Sequence, residues 1–348
     1  MPSRRRGALE RVSSTITAWR SGPAEVHAIT SAKSAHWVRT AANSLRRNGY
    51  VVLRSEIVDG SLCNVCAELS VTRLERLLGF AQGRGVDTVT HQFTSREVCQ
   101  RGWCTRRYDV SFPLPPAVAS QQQHQPLEEA AAAAAAAPSA EQPRSSCEKE
   151  CENELATELD SEWEAALGTR EVQEAEAQAW ARLHASIDSW ARPILDEVFG
   201  TSGDGAPCET PGAGCVLSIP GARAQSEHRD GPDLLINAFV PLIDLTQENG
   251  PTALVPRSHL RRGQEGRRVA PLLRKGQLLL YDYRLVHAGM PNSSDSTRPI
   301  GYVTYAPPGG RDTHNFPPSS LRQYCTRVGE EKRRIDATMR RYAEMECS

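Results

Sequence analysis

A succession of short apolar runs between residues 215 and 307 constrains the fold more than any other feature of this 348-residue sequence. The runs CVLSIPG, LLINAFVPLIDL, TALVP, QLLLYDY and PIGYVTYAP are separated by turns rich in Gly, Pro, Asn and Ser. Short β-type segments at this spacing are typical of an antiparallel sandwich or barrel. The sequence therefore predicts a mainly β core over residues 213–307, with helices beside it.

Helical periodicity precedes this core along the chain. Residues 58–80 carry apolar side chains at helical spacing, and so do residues 163–199, where we expect an interruption near Pro193. A polar segment with helical character closes the chain. The predicted organisation is one domain over 41–327 with helical flanks at 41–113 and 162–200, followed by a C-terminal helix at 328–348.

Two segments fall outside this periodicity. Residues 114–161 contain Gln and Pro clusters, eight consecutive alanines and an acidic run, so they bury too little apolar surface to order and are predicted to be a low-complexity insertion. Residues 1–40 are rich in Arg, Ser and Thr and poor in acids, which is typical of a disordered tail or of an organelle transit segment. Our default expectation is an intracellular, cytoplasmic protein, with organelle import left open.

Charge and cysteine usage exclude several classes of protein. The 41 Lys and Arg residues balance 42 Asp and Glu residues, so no overall field attracts nucleic acid or an anionic membrane. No run approaches the roughly 18 apolar residues of a membrane span. Only Cys63 and Cys66 form a CxxC, and no second pair stands at zinc-site spacing, so we predict free thiols. A small molecule is the expected partner, and the oligomeric state stays open.

His228 and Asp230 stand two residues apart, just before the most apolar run. In an extended segment such residues project from the same face, so imidazole and carboxylate can converge on one ion, although a solvated strand end would look the same. His287 follows the run QLLLYDY, and a hairpin beyond it would bring Arg298 back alongside. Two imidazoles and one carboxylate suit Fe(II) with positions left open for an oxo acid and oxygen, and a guanidinium fork suits the far carboxylate of 2-oxoglutarate.

Three segments carry a resemblance to a known family. PGARAQSEHRDG, ENGPTALVPRSHL and GQLLLYDYRLVHAGMPNSSDSTRP resemble, in this order, the phytanoyl-CoA dioxygenase family of Fe(II)- and 2-oxoglutarate-dependent oxygenases. The resemblance is good over residues 160–307 and weaker over 40–115. It implies a double-stranded β-helix, the jelly-roll fold of cupins, with the metal at one open end.

The resemblance also implies roles for individual residues. It assigns His228, Asp230 and His287 as the metal ligands and Arg298 as the anchor of 2-oxoglutarate, which is the co-substrate. Gln225 and Thr252 would help to seat the oxo acid.

The implied activity is hydroxylation of an unidentified small organic substrate by O2, with release of succinate and CO2. Retention of Asp230 favours hydroxylation, desaturation or ring closure over halogenation, and ascorbate is left open as a supporting reductant. Two alternatives remain: a non-oxidative, cupin-like metal-binding protein, and a catalytically degenerate interaction protein.

Several other residues attract attention for their chemistry. We expect His259 to close the turn after VPRS, and His184 to be a surface or packing residue of a helix. Tyr281 and Tyr283 are expected in the strand core, with a pocket position open to one of them. Arg106 or Arg107 could reach the substrate from the helical flank, and Arg257 stands where the family commonly has a small Gly.

Overall fold

The fold is described by a computed structural model over residues 28–29, 36–89, 92–100, 106–112, 159–201, 208–260, 266–312 and 319–346. Nearly all of the predicted insertion and of the predicted N-terminal tail lies outside these residues. None of the helices in the described part of the chain is both long enough and apolar enough to cross a membrane.

Strands dominate the C-terminal half and helices flank them. The strands are β1 (Ala28–Ile29), β2 (Tyr50–Leu53), β3 (Val98–Gln100), β4 (Arg107–Ser111), β5 (Glu209–Ser218), β6 (Ile236–Pro241), β7 (Thr252–Leu254), β8 (Leu278–Asp282), β9 (His287–Gly289) and β10 (Arg298–Ala306). The helices are α1 (His36–Asn48), α2 (Gly60–Gly83), α3 (Arg170–Phe199) and α4 (Leu321–Glu346), and residues 159–167 are also helical.

The strands form a large and a small sheet. The large sheet has eight strands in the order β1-β2-β8-β6-β10-β5-β4-β3, and every neighbouring pair is antiparallel except β1 with β2. The small sheet pairs β7 with β9. Strands β6, β8 and β10 are almost wholly buried because both faces of the large sheet are covered.

A cavity lies between the two sheets. Phe239, Ile300 and Tyr302 line it from the large sheet, and Thr252 and His287 line it from the small sheet. The mainly β fold with flanking helices is thereby confirmed, and two sheets facing each other across a cavity agree with a double-stranded β-helix.

Helix α3 covers the outer face of the large sheet. Trp180 stacks on Phe112 with ring centroids 4.1 Å apart, and its ring lies close to Gly301 of β10. The helix runs unbroken through Pro193, contrary to the interruption predicted there. Residues on both sides of Pro193, among them Ala191 and Ile194, are fully buried, and this packing outweighs the roughly 3 kcal/mol cost of an internal proline.

The interruption of the helical segment lies instead at residues 168–169. Gly168 has φ +91°, which ends helix 159–167, and the Thr169 hydroxyl then accepts a hydrogen bond from the amide of Val172 and begins α3. Glycine tolerates this left-handed conformation, and threonine is a preferred N-cap. The local chemistry of these two residues therefore divides the segment more strongly than the proline does.

Two predicted boundaries were wrong. Residues 41–113 are not wholly a helical flank, because β3 and β4 add two further strands to the large sheet beyond β2, whose bounds Tyr50–Leu53 agree with the strand that the sequence predicts there. The C-terminal helix begins at Leu321 rather than at residue 328, and the Glu97 carboxylate caps it by accepting from the Leu321 amide at 2.8 Å. The charged residues of β4 made this strand difficult to predict. The start of α4 was difficult to predict because its capping residue, Glu97, is distant in sequence.

The prediction of free thiols is confirmed for the described cysteines. Cys63, Cys66, Cys99, Cys208, Cys215 and Cys325 are all buried and unbridged. Burial raises the pKa of Cys63 to about 11 and that of Cys66 to about 12. Thiols with such pKa values are inert packing groups.

Candidate active site

Backbone pairing brings the His228 segment beside strand β9. The amide of His228 donates to the carbonyl of His287 at 3.0 Å, and the amide of His287 donates back at 2.9 Å. Gln225 extends this pairing by donating its amide to the Gly289 carbonyl, and Asp230 donates its amide to the Tyr283 carbonyl, both at 2.9 Å. Residues 225–230 thus lie as an extended segment along β9.

His228, Asp230 and His287 converge as predicted. The Asp230 Oδ1 atom lies 3.6 Å from His228 Nε2 and 3.5 Å from His287 Nε2, and the two imidazole centroids are 4.5 Å apart. One donor atom from each residue lies within 4.8 Å of the other two. These separations exceed hydrogen-bond length and place three donors around one point, which fits a metal ion.

Both imidazoles are oriented by their second nitrogen. His228 Nδ1 lies 2.8 Å from the Ser226 carbonyl, and His287 Nδ1 lies 2.9 Å from the Leu285 carbonyl. Because a carbonyl only accepts, each Nδ1 carries the proton and each Nε2 keeps its lone pair. This is the tautomer that metal-ligating histidines adopt.

The second oxygen of Asp230 has protein partners. Asn237 donates to Oδ2 from its side-chain nitrogen at 2.9 Å, and the Tyr281 hydroxyl donates to the same oxygen at 3.2 Å. Burial, followed by the negative charge of Asp230, raises the pKa of Tyr281 well above its ordinary value, so the phenol stays a donor. Both Tyr281 and Tyr283 line the cavity, which answers the question left open for this pair.

Arg298 lies at another wall of the same cavity, 1% exposed. It donates from Nη1 to the Gly250 carbonyl at 2.5 Å and from Nη2 to the Ser218 hydroxyl at 2.7 Å, and its Nε has no partner among the described residues. Burial, and then the charge of Arg107, lowers the pKa of Arg298 well below its ordinary value. A buried guanidinium with neutral partners favours an anionic ligand.

Arg107 is a further cavity arginine, and it comes from a strand. It stands in β4 directly opposite Ser218, whose other neighbour across the sheet is Arg298. It donates to the Met290 carbonyl at 2.7 Å and lines the cavity. Arg106 instead donates to the Pro220 carbonyl near the surface. The predicted reach from the helical flank is therefore corrected: Arg107 reaches the cavity as a residue of the large sheet.

Gly289 keeps space for this arginine. A Cβ at Gly289 would lie 1.9 Å from Arg107 Nη1 and 2.7 Å from Gln225 Oε1. Gln225 also accepts a hydrogen bond from the Gly289 amide at 2.9 Å, so it supports β9 as well as lining the cavity. Thr252 of β7 lines the cavity too. All six predicted site residues thus face one cavity of about 380 Å³.

His259 and His184 serve the fold. His259 Nε2 lies 3.0 Å from the Arg46 carbonyl, so it joins α1 to the strand core rather than closing its own turn. His184 is buried in α3 and packs against Tyr305, as predicted for a packing residue. Arg257 has φ +66°, a conformation that glycine adopts more readily.

Sequence comparison locates a family match on the strands that build this cavity. Residues 219–300 match the family model described as Phytanoyl-CoA dioxygenase (PhyH). This range contains the three predicted metal ligands as well as Gln225, Thr252 and Arg298. The resemblance expected from the sequence is confirmed over these residues.

Two curated relatives are fungal dioxygenases. The chain is 30% identical over 152 residues to the dioxygenase cdmA of Talaromyces verruculosus, covering 38% of this chain and 50% of that protein. It is 31% identical over 105 residues to the dioxygenase trt7 of Aspergillus terreus, covering 25% of this chain and 37% of the relative. The chain thus spans half or less of the length of these relatives.

Solved structures show more distant likenesses. The alpha ketoglutarate dependent epimerase SnoN from nogalamycin biosynthesis aligns with a TM-score of 0.45 at 18% identity, covering 79% of this chain and 84% of that one. HygX from Streptomyces hygroscopicus, with nickel and 2-oxoglutarate bound, aligns with a TM-score of 0.41 at 11% identity, covering 79% and 89%.

Proposed function

We propose that this chain is an Fe(II)- and 2-oxoglutarate-dependent dioxygenase that hydroxylates a small organic substrate. The observation that carries the proposal is the convergence of His228, Asp230 and His287 in one cavity with the buried guanidinium of Arg298. The donor set fits a ferrous ion, because two neutral imidazoles and one carboxylate on one face leave adjacent coordination positions open.

When bound, the iron and co-substrate supply dioxygen reduction: 2-oxoglutarate is oxidised to succinate and CO2, one oxygen atom enters succinate, and the other enters a substrate C–H bond. The chain supplies placement. His228 and His287 present their Nε2 lone pairs and Asp230 presents Oδ1, while the Ser226 and Leu285 carbonyls hold the ring orientations.

Charge in the cavity determines which co-substrate the chain accepts. Arg298 and Arg107 bring two positive charges to one wall, and their hydrogen-bond partners include the neutral groups of Ser218, Gly250 and Met290. A dicarboxylate would provide the negative charge, and a planar guanidinium binds a carboxylate through two parallel hydrogen bonds. Phe239, Ile300 and Val216 add apolar wall that limits water in the cavity.

An anaerobic reconstitution tests the proposal. Wild-type protein with Fe(II) and 2-oxoglutarate should develop a weak visible charge-transfer band, because the oxo acid chelates the metal. His287→Ala should abolish the band, and Arg106→Ala, an arginine beside Arg107 but outside the cavity, should leave it unchanged. A band that persists in His287→Ala would contradict the proposed ligand set.

Turnover tests the activity itself. With a responsive compound from a library of acyl thioesters, free acids and amino-acid derivatives, the wild-type chain should release succinate in amounts matched to hydroxylated product. Asp230→Ala should release neither, because the metal loses its only anionic ligand. Zinc binding without any succinate release under aerobic conditions would instead favour a non-oxidative cupin-like protein.

A further inference from the structure

Three polar residues form a row beneath the candidate metal centre. Thr304 of β10 is the register partner of Asn237 of β6, and Asn237 is the register partner of Tyr281 of β8. The side chains are 1%, 5% and 1% exposed, respectively. Buried polar groups in the middle of a sheet are costly unless each has a hydrogen-bond partner. Here their hydrogen bonds converge on Asp230.

The direction of each hydrogen bond can be assigned from the donors present. The Thr304 hydroxyl donates to Asn237 Oδ1 at 2.7 Å. The Asn237 amide nitrogen donates to Asp230 Oδ2 and to the Tyr281 hydroxyl, each at 2.9 Å. Tyr281 then donates its own proton to Asp230 Oδ2 at 3.2 Å. The carboxylate oxygen thus accepts from two neutral donors.

Thr304 supports the orientation in which the Asn237 amide nitrogen faces Asp230. If the amide were rotated by half a turn, its oxygen would face the Asp230 carboxylate and its nitrogen would face the Thr304 hydroxyl. Two oxygen acceptors would then oppose each other in a buried place, which is unfavourable. The Asp230 carboxylate disfavours this orientation, and the hydrogen bond from Thr304 to Asn237 Oδ1 further stabilises the observed one without touching Asp230 or either imidazole.

The arrangement controls how Asp230 can bind a metal. With Oδ2 held by Asn237 and Tyr281, only Oδ1 faces His228 Nε2 and His287 Nε2. A carboxylate that used both oxygens would occupy one more coordination position. Keeping one oxygen on protein donors preserves the open positions for the oxo acid and dioxygen.

We propose that Asn237 and Thr304 are positioning residues that hold Asp230 as a one-oxygen metal ligand, with Asn237 acting directly and Thr304 acting through the Asn237 amide. This inference rests on the proposed function, since it assigns the support of the same metal centre. It also goes beyond that function, because neither residue belongs to the ligand set.

Metal binding to the full-length apo protein tests the inference without turnover. Co(II) titration followed by visible absorption should show Asn237→Leu binding roughly 10- to 100-fold more weakly than wild type, the range for lost outer-shell partners. Asn237→Asp, which keeps the shape but replaces the donor by an acceptor, should bind at least as weakly. Thr304→Val should weaken binding about tenfold and shift the Co(II) spectrum, because the amide loses its fixed orientation.

Matched variants separate this role from a purely structural one. Thr88 is as buried as Thr304, its hydroxyl accepts from Gln82 at 2.7 Å, and it is not among the residues that line the cavity, so Thr88→Val should leave Co(II) affinity and spectrum unchanged. Thermal unfolding of each apo variant monitors folding, and Thr304→Val keeps the test decisive if either Asn237 variant fails to fold.

The outcomes distinguish the two proposals. If Thr304→Val matches wild type in Co(II) affinity and spectrum while His287→Ala loses Co(II), the positioning role is wrong and the metal centre stands. If wild type binds Co(II) no better than His287→Ala, both the metal centre and the positioning role are overturned.

Discussion

The helical layer and the cavity both bury arginine side chains, but they treat the charge differently. In the helical layer, Glu176 lies between Arg73 and Arg76, with Arg73 Nη1 2.6 Å from Oε2 and Arg76 Nη2 2.5 Å from Oε1. In the cavity, the protein partners of Arg298 are the Gly250 carbonyl and the Ser218 hydroxyl. Glu176 supplies a counter-charge to its two arginines, whereas dipoles hold Arg298.

This difference distinguishes a stabilising role from a binding role. When two buried charges are paired within the protein, removing one leaves the other buried without a counter-charge, which destabilises the folded state. A buried charge held by neutral dipoles costs folding free energy, as the lowered pKa of Arg298 indicates, and it keeps its capacity for an external anion. The four predictions below test this contrast.

Glu176→Ala should give the largest effect. It leaves Arg73 and Arg76 without their shared carboxylate and should reduce the free energy of unfolding by about 3–5 kcal/mol in urea denaturation. Glu174→Ala is the control, because Glu174 pairs with Arg170 on the helix surface and should change the free energy by less than about 0.5 kcal/mol. Equal losses in the two variants would contradict the stabilising role.

Arg298→Met should affect binding rather than folding. Loss of charge-assisted hydrogen bonds should weaken 2-oxoglutarate binding by about 1.5–3 kcal/mol, measured by calorimetry on Co(II)-loaded protein. The unliganded chain should lose less than about 1 kcal/mol of unfolding free energy, because no counter-charge is stranded. If Arg298→Met unfolds as easily as Glu176→Ala, Arg298 serves the fold instead.

A double-mutant cycle sharpens the description of the cavity charges. Arg107 of β4 and Arg298 of β10 are the register partners of Ser218 on the two sides of β5. Their like charges therefore repel in the unliganded protein. Replacing both by Met should cost more unfolding free energy than the sum of the single changes, by at least about 0.5 kcal/mol, because each single change relieves the repulsion and the double change relieves it only once. Strict additivity would show that the two guanidiniums do not interact.

The smallest effect concerns a buried group without charge in the helical layer. Burial lowers the pKa of His184, so the folded state binds its proton less readily than the unfolded state, whose pKa is about 6.5. Stability is therefore unaffected above that pH and falls as the pH drops below it, by at most about 1.4 kcal/mol per unit. Urea denaturation at pH 7.5 and 5.5 should show a smaller decline for His184→Gln, and an equal decline would refute this assignment.

The clustering of His228, Asp230 and His287 could be predicted because its signal is local. His228 and Asp230 share one extended segment, and the interval from His287 to Arg298 fits a hairpin return. Asn237 and Ser218 gave no such signal, because each reaches the site through its register with neighbouring strands, and register depends on pairing between distant segments. The position of Asn237 inside the apolar run LLINAFVPLIDL was the one hint in the sequence that this residue has a special role.

Boundaries were harder to predict for the same reason. Strand β4 carries Arg107 and Asp109 inward, so its alternation of charged and apolar residues resembled an exposed flank. The start of α4 depends on Glu97, a residue more than two hundred positions away. Apolar periodicity predicts the buried apolar residues of the core. It does not predict polar residues that distant segments of the chain contribute.

The main-chain hydrogen bonds that join His228 to His287 have a consequence for how the proposed metal ion would bind. Because this backbone pairing also brings the two imidazoles together, the entropic cost of gathering them falls on folding and would not fall on metal binding. If the proposed metal binds here, it would meet ligands that are already positioned, and we expect that chelators would remove it, and added metal would restore it, without unfolding of the strands.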